Sequence, residues 1–227
     1  MKKLFLILLC FSIKPVSAQD AEALVKKVKE KIDLVNNYEA DGIMKTNVTF
    51  LKVPEAQVKI YFKKPNLLKI KNEKGISFVP KGAVSINLNN IIGGDQYSII
   101  DAGYEKTGTV KTRVVKLLTK DDNADVVLST LYIDETNLVI IKAKTTTREN
   151  GSYQLDMTFG KYTAYCLPDK IVFTFNIKDY KLPKGVTFDF DDGTNADKPA
   201  EKNKTGKAEI SFNSYTINKG VSDSFFK

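Results

Sequence analysis

An alternation of apolar and polar side chains over residues 58–71 constrains the fold of this chain more than any other feature. The alternation breaks at residues 63–67, where a proline interrupts the pattern, and then resumes. Strict alternation is typical of β-strands with one buried face, and the break predicts a tight turn between two antiparallel strands. The apolar positions are Val58, Ile60, Phe62, Leu68 and Ile70. Such a face must be covered, either by other parts of the protein or by a lipid.

The rest of the chain repeats this pattern, so the sequence predicts a mainly β (α+β) fold with one amphipathic helix near its start. The helix is expected over residues 20–37 with Asp20 as its N-cap, and a long strand over residues 38–50. The apolar stripe of the helix consists of Leu24, Val28, Ile32 and Val35. Two edge strands are expected at 186–190 and 208–215. About ten or eleven strands in mostly hairpin order favour an antiparallel sheet over a βαβ fold.

The first residues have the pattern of a cleaved signal peptide. Two lysines precede an apolar stretch too short to span a membrane, and small residues up to Ala18 form a cleavage site. A lipoprotein signal acylated at Cys10 is the other interpretation, but it needs a small residue where Leu9 stands. We therefore expect cleavage of residues 1–18 and export to the periplasm, with residues 19–227 forming a single domain.

Several classes of chemistry are excluded or disfavoured. The chain has no histidine, which excludes Ser-His or Cys-His catalysis and most zinc sites. Asp121, Asp122 and Asp125 form an acidic cluster that more often marks a solvated turn than a catalytic pair. Asp189–Gly193 resembles a calcium loop but lacks the bidentate acid at the twelfth position. We expect Cys166 to be a small buried residue, and we expect no catalytic residue, metal or cofactor.

The charge pattern also limits the partners. The chain has 35 basic and 27 acidic residues, but the lysines are spread along predicted strands and form no clustered basic stripe. We therefore expect no nucleic-acid partner. A transient contact with anionic lipid headgroups is more plausible, at about 1 kcal/mol per lysine near the surface. We expect a monomer.

The strongest positive signal is the number of apolar residues on one face of consecutive predicted strands. One helix is too little to cover that face, so we expect a sheet that partly closes around an apolar cavity. Each methylene of an acyl chain buried there would contribute about 0.8 kcal/mol. An ordinary core is the alternative for most of these residues, and a plain connector is the alternative for the lid. The predicted lining consists of Met44, Val48, Phe50, Ile60, Phe62, Leu68, Ile70, Phe78 and Ile86, with Leu88, Ile91 and Ile92 in a short helical lid at 86–92.

Four motifs occur in order along the chain: the amphipathic helix, the hairpin with Tyr61-Phe-Lys-Lys-Pro-Asn-Leu67, the strand Tyr153–Phe159, and the ending Asn213–Phe226 with its final Asp-x-x-Phe. This order resembles the LolA-like family of lipoprotein carriers over most of the mature chain, least between residues 80 and 130. The chain departs from the family in having no arginine in the strand 38–50 to hold a lid, and no tryptophan.

The resemblance implies a half-open antiparallel barrel with helices across its opening and no enzymatic activity. It implies a periplasmic carrier that takes acylated lipoproteins or other lipids from an inner-membrane exporter to an outer-membrane acceptor. A sensor or adaptor with the same fold, signalling to a partner protein, is a second hypothesis. A hydrolase acting through the acidic clusters is a third, and it predicts that Asp121→Ala or Asp125→Ala abolishes an activity. The carrier hypothesis predicts that Phe62→Glu or Ile70→Glu weakens lipid binding.

Overall fold

The structure of the protein is a computed structural model that describes residues 18–48, 51–52, 55–65, 67–72, 92, 97–148, 151–176 and 205–226. One helix, α1, spans Ala18–Ile32. The strands are β1 (Asn37–Val48), β2 (Leu51–Lys52), β3 (Ala56–Lys63), β4 (Leu67–Asn72), β5 (Tyr97–Thr107), β6 (Val110–Thr119), β7 (Val126–Asp134), β8 (Val139–Thr147), β9 (Ser152–Thr158), β10 (Lys170–Asn176) and β11 (Thr205–Ile217). Short 3₁₀ helices lie at Thr163–Tyr165 and Asp223–Phe226.

The strands form one antiparallel sheet of 11 strands in the order β4-β3-β1-β11-β10-β9-β8-β7-β6-β5, with β2 paired to β1 outside this path. From β5 to β10 every neighbour in the sheet is also a neighbour in sequence, as hairpin order predicts. The predicted fold, a mainly β antiparallel open sheet with one N-terminal helix, is confirmed. The predicted lid at 86–92 lies outside the described residues except for Ile92, which is helical.

The opening hairpin has the predicted register. Ile60 pairs with Ile70 and Phe62 with Leu68, so the apolar residues of β3 and β4 share one face of the sheet. We call this the inner face, because it carries the hydrophobic core, and the opposite side the outer face. Since side chains alternate along a strand, Lys59 and Lys71 lie on the outer face.

The predicted helix boundaries were wrong at both ends. The helix begins at Ala18, so Asp20 lies in its first turn, and it ends at Ile32 rather than at residue 37. Asn218 explains the end: its side-chain oxygen accepts the backbone N–H of Asn36 at 2.7 Å, and its amide nitrogen donates to the Leu34 carbonyl at 2.8 Å. A contact 182 residues away in sequence therefore satisfies backbone groups that a longer helix would have used.

Two strand predictions also need correction. β11 is not an edge strand, because it pairs with β1 on one side and β10 on the other. Its predicted partner edge at 186–190 lies outside the described residues. β5 was not predicted, and it forms one edge of the sheet.

The core consists of two clusters on the inner face. The hairpin cluster comprises the buried residues Val35, Ala40, Met44, Ala56, Val58, Ile60, Phe62, Leu167, Ile210 and Tyr215. The larger helix cluster joins α1, through Leu24, Val25, Val28 and Ile32, to the inner faces of β6 to β10. We call β1, β3, β4, β10 and β11 the hairpin side of the sheet, although the inner face of β10 contributes to the helix cluster, and β5 to β9 with α1 the helix side.

The pairing of β1 with β11 is irregular at one position. The register shifts between Asp41 and Gly42, and a Cβ at Gly42 would lie 2.7 Å from the Ser211 carbonyl oxygen. Only glycine permits this approach of the two backbones.

Candidate functional site

A cleft of about 510 Å³ lies between α1 and the edge of the sheet at β5 and β6. Its volume falls within the range of roughly 300–1,000 Å³ that is usual for small-ligand sites. The lining residues are Glu22, Val25, Lys26, Lys29, Glu30, Asp33, Ile92, Tyr97, Ile99 and Leu117.

The floor of the cleft is apolar and continuous with the helix cluster. Ile99 pairs with Leu117 across β5 and β6, which places both on the inner face. Leu117 and Ile92 are buried, whereas Ile99 and Tyr97 are half-buried and packed against the cluster. The cleft therefore gives a ligand access to the core of the helix side.

The rim of the cleft is one flank of α1. Glu22, Lys26, Lys29 and Asp33 follow at spacings of four, three and four, so they share a helix face beside the apolar stripe. With Glu30 the rim has carboxylates and ammonium groups in a nearly balanced mixture. Burial raises the pKa of Tyr97, and the positive charge of Lys29 offsets part of this rise. The tyrosine hydroxyl at the mouth is thus neutral at physiological pH.

Two lysines tether the C-terminal end of α1. Lys64, in the turn between β3 and β4, lies 2.9 Å from the carboxylate of Asp33 and donates to its carbonyl at 2.6 Å. Lys31 donates to the carbonyl of Asn137, beyond β7, at 2.5 Å. The predicted tight turn at 63–67 therefore also holds the end of the helix, while α1 borders the cleft along its length.

The structure distributes the predicted cavity residues unevenly. Met44, Ile60 and Phe62 are 2–3 % exposed and belong to the hairpin cluster, against which Leu68 and Ile70 are partly buried. Of the predicted residues whose side chains the structure describes, Ile92 alone lines the cleft. Val48 lies in β1, but its side chain is outside the described residues, as are Phe50, Phe78, Ile86, Leu88 and Ile91.

Sequence reasoning missed the residues that reach the cleft from the sheet, Tyr97, Ile99 and Leu117. Their alternation was visible, since Tyr97, Ile99 and Asp101 alternate with Ser98 and Ile100. Ile100 obscured the pattern, because it is apolar and yet 48 % exposed on the outer face.

The acidic cluster lies in the turn between β6 and β7. Asp121, Asp122 and Asp125 are exposed, and the Asp121 carboxylate accepts the backbone N–H of Asn123 at 2.9 Å. This geometry is that of a structural turn. The Asp189–Gly193 segment lies outside the described residues.

Cys166 is buried, and its thiol lies 3.4 Å from the Leu138 carbonyl. Burial raises the pKa of Cys166 to about 11, partly offset by Lys31. The thiol is therefore protonated at physiological pH and is a poor nucleophile.

Within the described part of the chain, no group of acidic, cysteine or histidine side chains is arranged to hold a metal ion. No helix in the same residues has the length and apolar character needed to cross a bilayer.

The fold is shared with solved structures of low sequence identity. An outer membrane lipoprotein-sorting protein domain from Vibrio parahaemolyticus matches with a TM-score of 0.59 at 9 % identity, over 93 % of this chain and 97 % of that one. A DUF1329 family protein from Desulfovibrio piger matches with a TM-score of 0.58 at 12 % identity, over 91 % and 97 %. A LolA superfamily protein from Nitrosomonas europaea matches with a TM-score of 0.54 at 11 % identity, over the same shares. No family model and no curated protein matches the sequence. The chain therefore has the LolA-like half-barrel fold.

Proposed function

We propose that this protein is an exported carrier that binds the acyl chains of lipoproteins or other lipids and transfers them towards the outer membrane. The observation that carries the proposal is the cleft between α1 and β5–β6, which opens onto the apolar core of an open sheet. The shared fold supports a lipid- or lipoprotein-binding role, because two of the matching structures are described as lipoprotein-sorting or LolA superfamily proteins.

Binding requires no covalent chemistry in this proposal. An acyl chain would lie along Ile99 and Leu117 towards Ile92, and its removal from water would supply the free energy. The polar end of the lipid would remain at the charged rim. Ordering of the ligand offsets part of the gain, so several buried methylenes are needed for stable binding.

A triacylated cargo would need more room than the cleft provides. The first turns of α1 are the natural element to move, because the tethers from Lys64 and Lys31 act only on its other end. Moving these turns away from β5 would expose more of the helix cluster, including Val25 and Leu24. The predicted cavity residues described on the hairpin side, Met44, Ile60, Phe62, Leu68 and Ile70, would then extend the same inner face. Val48, Phe50, Phe78, Ile86, Leu88 and Ile91 remain proposed parts of it.

The cellular setting is also proposed. The signal-peptide pattern of residues 1–18 supports export to the periplasm. An inner-membrane lipoprotein exporter and an outer-membrane acceptor would then be the partners before and after transport.

A pair of neighbouring substitutions tests the cleft. Ile99→Glu places a carboxylate among the acyl chains, and we expect it to weaken binding of a fluorescent fatty acid and of a synthetic triacylated lipopeptide at least tenfold. Ile100→Glu is the matched control, because it makes the same change one residue away on the exposed outer face. Equal binding by both folded variants would exclude the cleft as the lipid site.

Native mass spectrometry of the protein purified from the periplasm without detergent tests the cargo. Co-purified acylated lipid or lipoprotein, lost in Ile99→Glu and kept in Leu67→Glu, which changes an exposed residue far from the cleft, would support the carrier. A protein that carries no lipid and fails to bind the labelled probes would instead favour a sensor or adaptor that recognises another protein.

A further inference from the structure

The outer face of the sheet differs between its two sides in how its lysines are paired. On the hairpin side, Lys59 lies 3.2 Å from Asp41 and 3.3 Å from Glu39. The pairs Lys45–Glu55 and Lys170–Glu209 are each at 2.7 Å, and Lys63–Asp223 is at 2.6 Å. Four lysines on this side of the outer face are therefore paired with carboxylates, and a fifth, Lys71, lies over the Tyr61 and Phe225 rings.

The helix side presents three lysines on the same face without such partners. Among the described residues, Lys116, Lys142 and Lys144 have no carboxylate within salt-bridge distance. Register places Lys116 and Lys144 on either side of Thr130, and Lys142 beside Tyr132. The ammonium groups of Lys142 and Lys144 lie 5.0 and 5.6 Å from the centre of the Tyr132 ring. Asp156 is paired with Lys142 in the register of β8 and β9, but the two form no salt bridge, and the Asp156 carboxylate accepts a hydrogen bond from the side chain of Gln154 at 2.6 Å.

Exposed aliphatic side chains adjoin these lysines. Ile100 is directly opposite Lys116 in the sheet and is 48 % exposed. Leu118, two residues further along the same face, is 41 % exposed and opposite Leu128. Two aliphatic groups beside three cations form one continuous surface, which we call the β5–β8 patch: Ile100, Lys116, Leu118, Tyr132, Lys142 and Lys144.

We propose that the β5–β8 patch docks the protein onto an anionic lipid bilayer. The charge is complementary to such a surface, and the aliphatic groups can enter the headgroup region. All three cations are lysines, which suit a fluid surface better than a fixed acceptor, for which arginine's planar geometry is the usual choice. The inference rests on the proposed function for its purpose, because a carrier must meet a membrane, but the patch and the cleft are on opposite faces.

Single tryptophans provide a direct test, because the chain contains none. Leu118→Trp places the reporter in the patch, and Leu67→Trp places it on the outer face of the hairpin side, where Leu67 is 40 % exposed against 41 % for Leu118. Vesicles of a two-to-one mixture of phosphatidylcholine and phosphatidylglycerol should shift the emission of Leu118→Trp to shorter wavelength and leave Leu67→Trp unchanged. Vesicles of phosphatidylcholine alone should shift neither.

Charge removal gives a second, independent measurement. Replacing Lys116, Lys142 and Lys144 together by glutamine should lower affinity for the anionic vesicles about a hundredfold, at roughly fivefold per lysine. The matched control replaces Lys45, Lys59 and Lys170 by glutamine, which changes the net charge equally on the same face. It should lower the affinity much less, and added salt should weaken the wild-type binding.

Three results would overturn the docking proposal. The first is an equal shift of the emission in both tryptophan variants, and the second is an equal loss of vesicle affinity in both lysine triples. The third is a protein that does not bind the vesicles and whose patch binds an acidic protein instead. The same variants are tested for fatty-acid binding. A wild-type protein that binds fatty acid but not the anionic vesicles refutes the patch alone, whereas one that binds the vesicles but not fatty acid refutes the cleft.

Discussion

The two sides of the sheet share one backbone architecture but differ on both faces. On the hairpin side, the inner face carries the buried hairpin cluster. On the outer face, Lys45, Lys59, Lys63 and Lys170 are paired with carboxylates, and the C-terminal 3₁₀ helix covers part of the strands. Phe225 of that helix stacks on Tyr61 with ring centres 4.2 Å apart. On the helix side, the inner face opens at the cleft below α1, and the outer face carries unpaired lysines and exposed aliphatic groups.

This difference indicates that the two sides of the sheet have different roles. Closed packing and paired charges are what stability requires, whereas an accessible apolar cleft and unpaired charge lower stability and are kept where they serve binding. We therefore assign the hairpin side to stability and the helix side to binding. Each prediction below tests one part of that assignment.

The largest expected effect is on the stability of the hairpin side. Phe62→Ala removes a side chain that is 3 % exposed and lies 5.2 Å from the Tyr38 ring, so we expect a loss of about 3–5 kcal/mol in the free energy of unfolding. Ile99→Ala, on the same inner face but beside the cleft, should cost only about 1 kcal/mol, because the space it leaves is already open. Urea unfolding measures both. Similar losses would contradict the assignment.

The same burial affects how the earlier Phe62→Glu test should be interpreted. A carboxylate at this closed position would unfold the protein, so weakened lipid binding there would not identify a cavity. Ile70→Glu is the better variant on the hairpin side, because Ile70 is only partly buried.

The sequence was sufficient for the strands whose pattern is local. The hairpin of β3 and β4 follows from alternation and a proline turn, and the sheet is antiparallel because hairpins follow one another. What could not be predicted depends on contacts between distant residues. Asn218 ends α1, and β11 inserts between β1 and β10. Neither contact can be recognised from the sequence of the segments that take part in it.

The candidate site was less predictable than the fold for the same reason. Alternation identifies which residues of β3 point inward but not which part of the inner face remains open. That depends on where α1 lies, and its apolar stripe packs over β6 to β10 rather than over the hairpin. The cleft therefore borders β5, a strand that was not predicted because the exposed Ile100 interrupts its apolar–polar alternation.

An intermediate effect is expected from the C-terminal 3₁₀ helix. Phe225→Ala removes the ring that stacks on Tyr61 and lies 4.8 Å from the Lys71 ammonium group, and we expect a loss of about 1–2 kcal/mol. Tyr104→Ala is the comparison on the helix side, because that ring also contacts cations but is 50 % exposed. It should cost less than 1 kcal/mol in the same urea experiment.

Phe225→Ala also sharpens the comparison of the outer faces. It would uncover Tyr61 beside Lys71, so that the hairpin side gains an exposed aromatic group next to a cation. A small rise in affinity for anionic vesicles is expected. An unchanged affinity would mean that cover by the 3₁₀ helix does not contribute to the difference between the two faces.

The smallest expected effect is on the pH dependence of the free energy of unfolding, and it concerns the buried tyrosines of the hairpin side. The chain has no histidine, so the free energy of unfolding should be nearly constant between about pH 6 and 8. Burial raises the pKa of Tyr215 above its usual range, with further increases from Tyr38, Asp169 and Tyr162. Above about pH 10 the unfolded chain loses this proton while the folded chain keeps it, so stability should fall as pH rises.

Tyr215→Phe tests this origin of the alkaline decline. The variant loses the hydrogen bond that the hydroxyl donates to the Pro168 carbonyl at 2.7 Å, which should cost about 1 kcal/mol at neutral pH. Because it has no hydroxyl to ionise, its stability should fall less steeply above pH 10 than that of the wild type. Tyr104→Phe, which removes an exposed hydroxyl from the helix side, should follow the wild-type profile. If both variants decline as steeply as the wild type, the alkaline sensitivity does not arise from Tyr215, and the assignment of stability to the hairpin side loses this pH signature.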